Sequence, residues 1–107
     1  MTEWTVEFLD DDVEQEFLSL PADIRARLIR ISSLIEEHGL SNVGMPYVRH
    51  LEGKLWEMRA KGKDGIGRSL YVTASGKRVV VLRAFQKKTQ KTPRREIQLA
   101  LKRAKEI

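Results

Sequence analysis

The sequence predicts an α+β fold: an N-terminal strand, a helical hairpin, antiparallel strands of one small sheet, and a C-terminal helix. Three observations carry that prediction. Residues 4–8 and 55–59 alternate apolar and polar with the period of a strand. Apolar stripes at helical spacing run through 13–20, 24–35 and 97–104. Pro21, Gly39 and Gly76 punctuate these segments where helices and hairpins end. At 107 residues, 41% apolar and 33% charged, the chain fits one domain over residues 1–107 with one core.

Trp4, Val6 and Phe8 would face that core from the first strand, Trp4–Phe8. Asp10, Asp11 and Asp12 follow, read as an N-cap and acidic first turn rather than as metal ligands, because consecutive side chains diverge on a helix. Val13, Phe17 and Leu20 then make a short helix ending at Pro21. A second helix starts there, buries Ile24, Leu28, Ile31, Leu34 and Ile35, and stops at Gly39. His38 in its last turn complements the helix dipole. Residues 41–52 have no sustained period and read as a loop, with His50 a lone histidine lacking a visible partner.

Leu55–Arg59 is the second predicted strand, with Trp56 and Met58 on one face and Leu55, Glu57 and Arg59 on the other. Ala60 to Gly67, with three glycines, reads as a flexible hairpin loop carrying Lys61 and Lys63. Arg68–Thr73 and Arg78–Phe85 follow, joined by a turn over 74–77. Val79 to Leu82 lacks alternation, as a central strand covered on both faces requires. The last helix begins with Thr92 as cap and Pro93 in its first turn, and docks through Ile97, Ala100, Leu101 and Ala104.

Charge divides the chain. Residues 1–50 hold four Arg against ten Asp/Glu, a net −6, while residues 51–107 hold sixteen Lys/Arg against five Asp/Glu, a net +11. A field of one sign steers polyanions, so the basic half suits RNA, with a solubilising surface as the bland alternative. The absence of cysteine excludes disulfides and thiolate metal sites. Neither a leader-like start nor a long apolar run is present, so a soluble, cytosolic protein without membrane contact is expected.

Strand direction brings the cations together. The exit of the second predicted strand, the entry of the third and the exit of the fourth share one end of an antiparallel sheet. Arg59, Arg68, Lys87 and Lys88 would therefore face one phosphate, with Arg68 in phase with Leu70 and Val72 rather than with Tyr71. Such a cluster suits phosphodiester cleavage, in which negative charge grows on the non-bridging oxygens. Crowded lysines supply a base for a 2′-hydroxyl, and Glu57 or Tyr71 are further candidates for proton transfer. Lys61, Lys63, Lys91, Arg94 and Arg95 are candidate RNA contacts, and Phe85 either stacks a base or belongs to the core. No Ser-His-Asp pattern, phosphate loop or metal-ligand spacing competes, and no cofactor or metal is expected.

Leu55-Trp56-Glu57-Met58-Arg59, then Arg68-Ser69-Leu70-Tyr71, then Phe85-Gln86-Lys87-Lys88-Thr89-Gln90-Lys91-Thr92-Pro93 and the helix after it resemble the HigB-like, phage-derived branch of the RelE/ParE toxin superfamily. The resemblance spans nearly the whole chain and implies a RelE-like fold. It further implies the toxin of a type II toxin–antitoxin pair: a ribosome-dependent, metal-independent mRNA endoribonuclease that inhibits translation. A helix-turn-helix antitoxin would neutralise it and mediate any contact with operator DNA. By the resemblance, Arg68, Arg59 and the Lys87-Lys88 pair stabilise phosphate and transition state, with Lys88 or Lys87 the proton-transfer partner. The aromatic usual before the third-strand arginine is replaced by Ile66-Gly67. Two other readings stay open: a ParE-like gyrase poison without nuclease activity, and a non-catalytic nucleic-acid-binding module.

Overall fold

A computed structural model describes residues 2–107. Its elements are β1 (Thr5–Phe8), α1 (Asp11–Leu18), α2 (Ala22–His38), β2 (Val48–Glu52), β3 (Leu55–Gly62), β4 (Gly65–Ala74), β5 (Arg78–Lys87) and α3 (Arg94–Ala104), with a single 3-10 turn at Leu40–Asn42. The five strands form one sheet in the order β1-β5-β4-β3-β2. Val13, Phe17, Ile24, Leu28, Ile31 and Ile35 pack α1 and α2 on one face against Met58, Tyr71, Val79 and Val81. Ile97, Ala100, Leu101 and Ala104 dock α3 on the other, over Leu55, Leu70, Val80 and Leu82. β5 is thus apolar on both faces, which explains why residues 79–82 do not alternate.

Asp10 caps α1 by accepting the Val13 N–H at 3.0 Å, so the acidic triplet serves the helix terminus. Gly39, at φ 88°, ends α2, a conformation open to glycine at little cost.

Four expectations are corrected. First, β1 runs parallel to β5, Thr5 opposite Arg78 and Phe8 opposite Val81, whereas the remaining pairs are antiparallel. Crossing through α1 and α2 leaves the chain free to return on the far side of the sheet, and β1 occupies the edge beside the last strand. Second, residues expected to be loop form the edge strand β2, paired from Val48 opposite Met58. Arg49 and His50 are exposed there, so its side chains carry almost no alternation. Third, the hairpin between β3 and β4 turns within Lys63-Asp64, because the glycines lie in the strands. A Cβ at Gly62 or Gly67 would overlap the Ile24 side chain of α2, so these glycines serve close packing rather than loop freedom. Fourth, Pro93 rather than Thr92 occupies the cap of α3, and the Thr92 hydroxyl is used elsewhere.

A bulge in β5 sets the phase of the second half of that strand. Leu70 is opposite Arg83 but Tyr71 is opposite Val81, so Leu82 is inserted without a partner. Leu82 and Arg83 therefore both lie toward α3, and the alternation after them puts Phe85 and Lys87 on the α3 face with Arg68.

Candidate functional site

The functional end of the sheet is built in rows. Arg59, Arg68 and Phe85 lie directly opposite one another across β3, β4 and β5, and Lys61, Ile66 and Lys87 form the next row outward. Glu57 stands one row inward on the same face, opposite Leu70. The segment 88–93, between β5 and α3, folds back over these rows.

A buried charge cluster fastens that segment. Glu57 is fully buried, and its Oε1 accepts from the Thr92 hydroxyl at 2.6 Å and lies 3.7 Å from Arg68 Nε. Its Oε2 accepts from Arg59 Nε at 3.1 Å and lies 3.7 Å from Arg49 Nε. One carboxylate thus faces three guanidiniums. Arg68, also fully buried, donates from Nη2 to the carbonyls of Thr89 and Gln90, the latter at 3.0 Å. Arg59 donates to the same Gln90 carbonyl and, at 3.4 Å, to the Gln90 side chain. Burial, then the adjacent Arg59, pulls the Arg68 guanidinium below its ordinary pKa, with Glu57 opposing. Arg68 Nη1 has no hydrogen-bond partner among the described residues.

This arrangement separates the residues that the sequence suggested would meet one phosphate. Lys61, Lys63, Lys88, Lys91, Arg94 and Arg95 are exposed, Lys87 and Arg59 are half-buried, and Arg68 lies beneath the 88–91 segment, bonded to its backbone. Phe85 is buried, with Arg68 and Arg83 guanidiniums 5.9 and 5.5 Å from its ring centroid, so its faces are occupied from within the protein. Tyr71 is on the opposite face of the sheet, in the α1/α2 core, and burial raises the pKa of its phenol. It has no path to the cationic rows. Arg94 is ion-paired with Glu52.

Lys61, Lys63 and Lys88 border a cleft of about 350 Å³ together with Asp64 and Gln90. A larger groove of about 650 Å³ continues from it, sharing Lys61, Ile66 and Gln90, between α2 and the outer edge of β3. Arg27, Arg30 and Tyr47 line this groove and are not among the candidate RNA contacts read from sequence. The i, i+3 spacing of the two arginines on one face of α2 was the available signal. Ammonium and guanidinium groups are donors only, a set that receives oxygen anions and repels metal cations. Among the described residues, none of Lys61, Lys63, Lys87, Lys88 and Lys91 is ion-paired, while Arg78, Arg83 and Arg103 on other parts of the molecule all are.

A family model for phage-derived Gp49-like proteins matches residues 15–105. No curated protein matches the chain. Among solved structures, an arginine-to-alanine double mutant of the Escherichia coli toxin RelE in the free state superimposes with a TM-score of 0.59 at 18% identity, covering 95% of this chain and 98% of that one. The RelE chain of an archaeal RelE–RelB complex from Pyrococcus horikoshii gives 0.56 at 21% identity, over 79% of this chain and 96% of that one. Both share the sheet flanked by helices described above. The chain belongs to the phage-derived Gp49-like family and has the RelE fold.

Proposed function

We propose that this chain is the toxin of a type II toxin–antitoxin pair and an endoribonuclease that cuts ribosome-bound mRNA in the cytoplasm without a metal. The observation that carries the proposal is the cleft bordered by Lys61, Lys63 and Lys88, which have no ion-pair partner among the described residues, beside a segment whose backbone carbonyls are hydrogen-bonded by Arg68. In phosphodiester cleavage the 2′-oxygen attacks phosphorus while the 5′-oxygen leaves, and charge accumulates on the non-bridging oxygens. Fixed cations at that position stabilise the transition state more than the ground state. In this reading Lys88 and Lys87 meet the reacting phosphate, one of them as the proton-transfer group, and Arg59 completes the cationic wall. Lys61, Lys63, Lys91 and Arg95 hold flanking phosphates. Arg68 and Glu57 act from beneath, by fixing the segment that bears the lysines.

A cognate antitoxin, of the helix-turn-helix type, is the proposed partner, supported by the RelB-bound state of the archaeal relative. Operator DNA would be met only through it.

Cleavage of a defined mRNA by the purified protein, mapped by primer extension with and without programmed ribosomes, tests the reading. Lys88→Ala is the informative variant because the side chain is exposed and its removal leaves the fold intact. Cuts that appear only with ribosomes and fall by about two to three orders of magnitude in the variant are expected. The ribosome-free arm should stay uncut with or without EDTA. Toxicity in cells with no cuts in either arm would replace this reading with that of a gyrase poison.

A further inference from the structure

Among the groups in the site, Thr92 is the one whose placement departs furthest from its sequence role. A threonine before Pro93 would ordinarily cap α3, yet its hydroxyl turns away from the helix and is buried against Glu57 Oε1 at 2.6 Å. It links β3 to the last residue of the segment 88–92, thirty-five positions later. The other bonds to this segment, from Arg68 and Arg59, are taken by the Thr89 and Gln90 carbonyls and the Gln90 side chain. The side chains of Lys88 and Lys91 are left exposed. The segment is therefore a strap, tied down mainly through its backbone and by a single buried hydroxyl, with its cations facing outward.

We infer that Glu57 and Thr92 are positioning residues that hold this strap closed and so fix the lysines it carries. Glu57 performs two tasks. It balances Arg49, Arg59 and Arg68, whose three positive charges would otherwise repel one another around a buried position. It also offers its remaining oxygen to Thr92, a charge-assisted bond between neutral donor and ionised acceptor. Arg68 and Arg59 can then spend their donors on the strap's carbonyls. The kinetic consequence of this inference rests on the ribonuclease reading; the mechanical one stands without it.

Thr92→Val removes the bond while keeping side-chain shape, and leaves Glu57 with its three guanidiniums. Thr92→Ser restores the hydroxyl. Limited trypsin digestion of the folded full chain, followed by mass spectrometry, reads opening of the strap as cleavage after Lys88 and Lys91. A bond to a charged acceptor supports a rise of about tenfold or more in that rate for Thr92→Val. Thr92→Ser should digest at close to the wild-type rate, and cleavage after Lys102 should be equal in all three proteins. On programmed ribosomes Thr92→Val should lose about tenfold or more in kcat with KM changed by less than about threefold, and Thr92→Ser should recover it. Wild-type resistance of the strap in Thr92→Val, an equally open strap in Thr92→Ser, or a parallel rise after Lys102 would overturn the inference. Unchanged kcat in Thr92→Val would also overturn it. If the wild-type protein cuts no mRNA, the ribonuclease reading fails, and the digestion alone decides whether the strap is held as described.

Discussion

Gly67 shows how a single residue can carry opposite meanings in sequence and in structure. Three glycines within 62–67 look like a flexible loop, yet two of them lie in strands where α2 crosses closest, with Ile24 pressed onto the backbone. Gly67→Ala should therefore destabilise the protein by about 1–3 kcal/mol through overpacking, measured by urea denaturation. Trimming the opposing side chain in Gly67→Ala/Ile24→Ala should give a total loss smaller than the sum of the single changes. Arg68 is the second residue of this kind. Its register beside Arg59 was legible from strand direction, and the structure places the two directly opposite. Its burial was not legible, because the strap that covers it comes twenty residues later and is fixed by Glu57 and Thr92, whose bond no local pattern announces. The same is true of Phe85, whose face of the sheet depends on a bulge at Leu82.

At the scale of elements, apolar periodicity located α1, α2, α3, β1 and the central strands, since each buries a continuous stripe. Edges were harder to read. β2 has one solvated side and only five residues, and the parallel placement of β1 depends on where the chain returns after two helices. That short β1 also leaves a gap: among the described residues, no strand lies beside the edge of β5 beyond Val81. Glu16 of α1 fills the gap, accepting the Ala84 N–H and pairing with Arg83 at 3.1 Å and Arg103 at 2.8 Å, while Arg83 pairs with Glu96 of α3 at 2.8 Å. Burial alone would raise the Glu16 carboxyl, but hydrogen bonds from Arg103, Arg83 and the Ala84 N–H outweigh it and lower the pKa from its ordinary 4.5. A lowered folded pKa means stability that is present above pH 4.5 and lost as the pH falls through the folded value. Glu16→Gln should thus melt at a lower temperature than wild type at pH 7. The gap between the two should narrow as the pH falls below 4.5, in thermal melts followed by circular dichroism.

For the whole molecule, the opposed charges of the two halves, −6 and +11, become a spatial arrangement. Carboxylates of the acidic half neutralise basic residues away from the cleft: Glu3 pairs with Lys77, Glu7 with Arg78, and Glu16 with Arg83 and Arg103. Asp23 accepts the Lys63 backbone N–H at 2.8 Å, which anchors the hairpin through its backbone and leaves the Lys63 side chain exposed. What remains is a positive field concentrated at the end of the sheet where β3, β4 and β5 meet the strap. If that field binds RNA by releasing its counterions, affinity must fall with salt in proportion to the phosphates neutralised. Removing one contacting lysine from a single-stranded RNA complex should then reduce the slope of log K against log salt by about 0.7. Lys63→Ala and Lys91→Ala should each show that reduction in a fluorescence-anisotropy titration across a salt series. Lys77→Ala, at the opposite end of β5 and already paired with Glu3, should leave the slope unchanged. Equal slopes for all three variants would mean that RNA binds by the charge of the whole surface, and that the sheet end has no special claim to it.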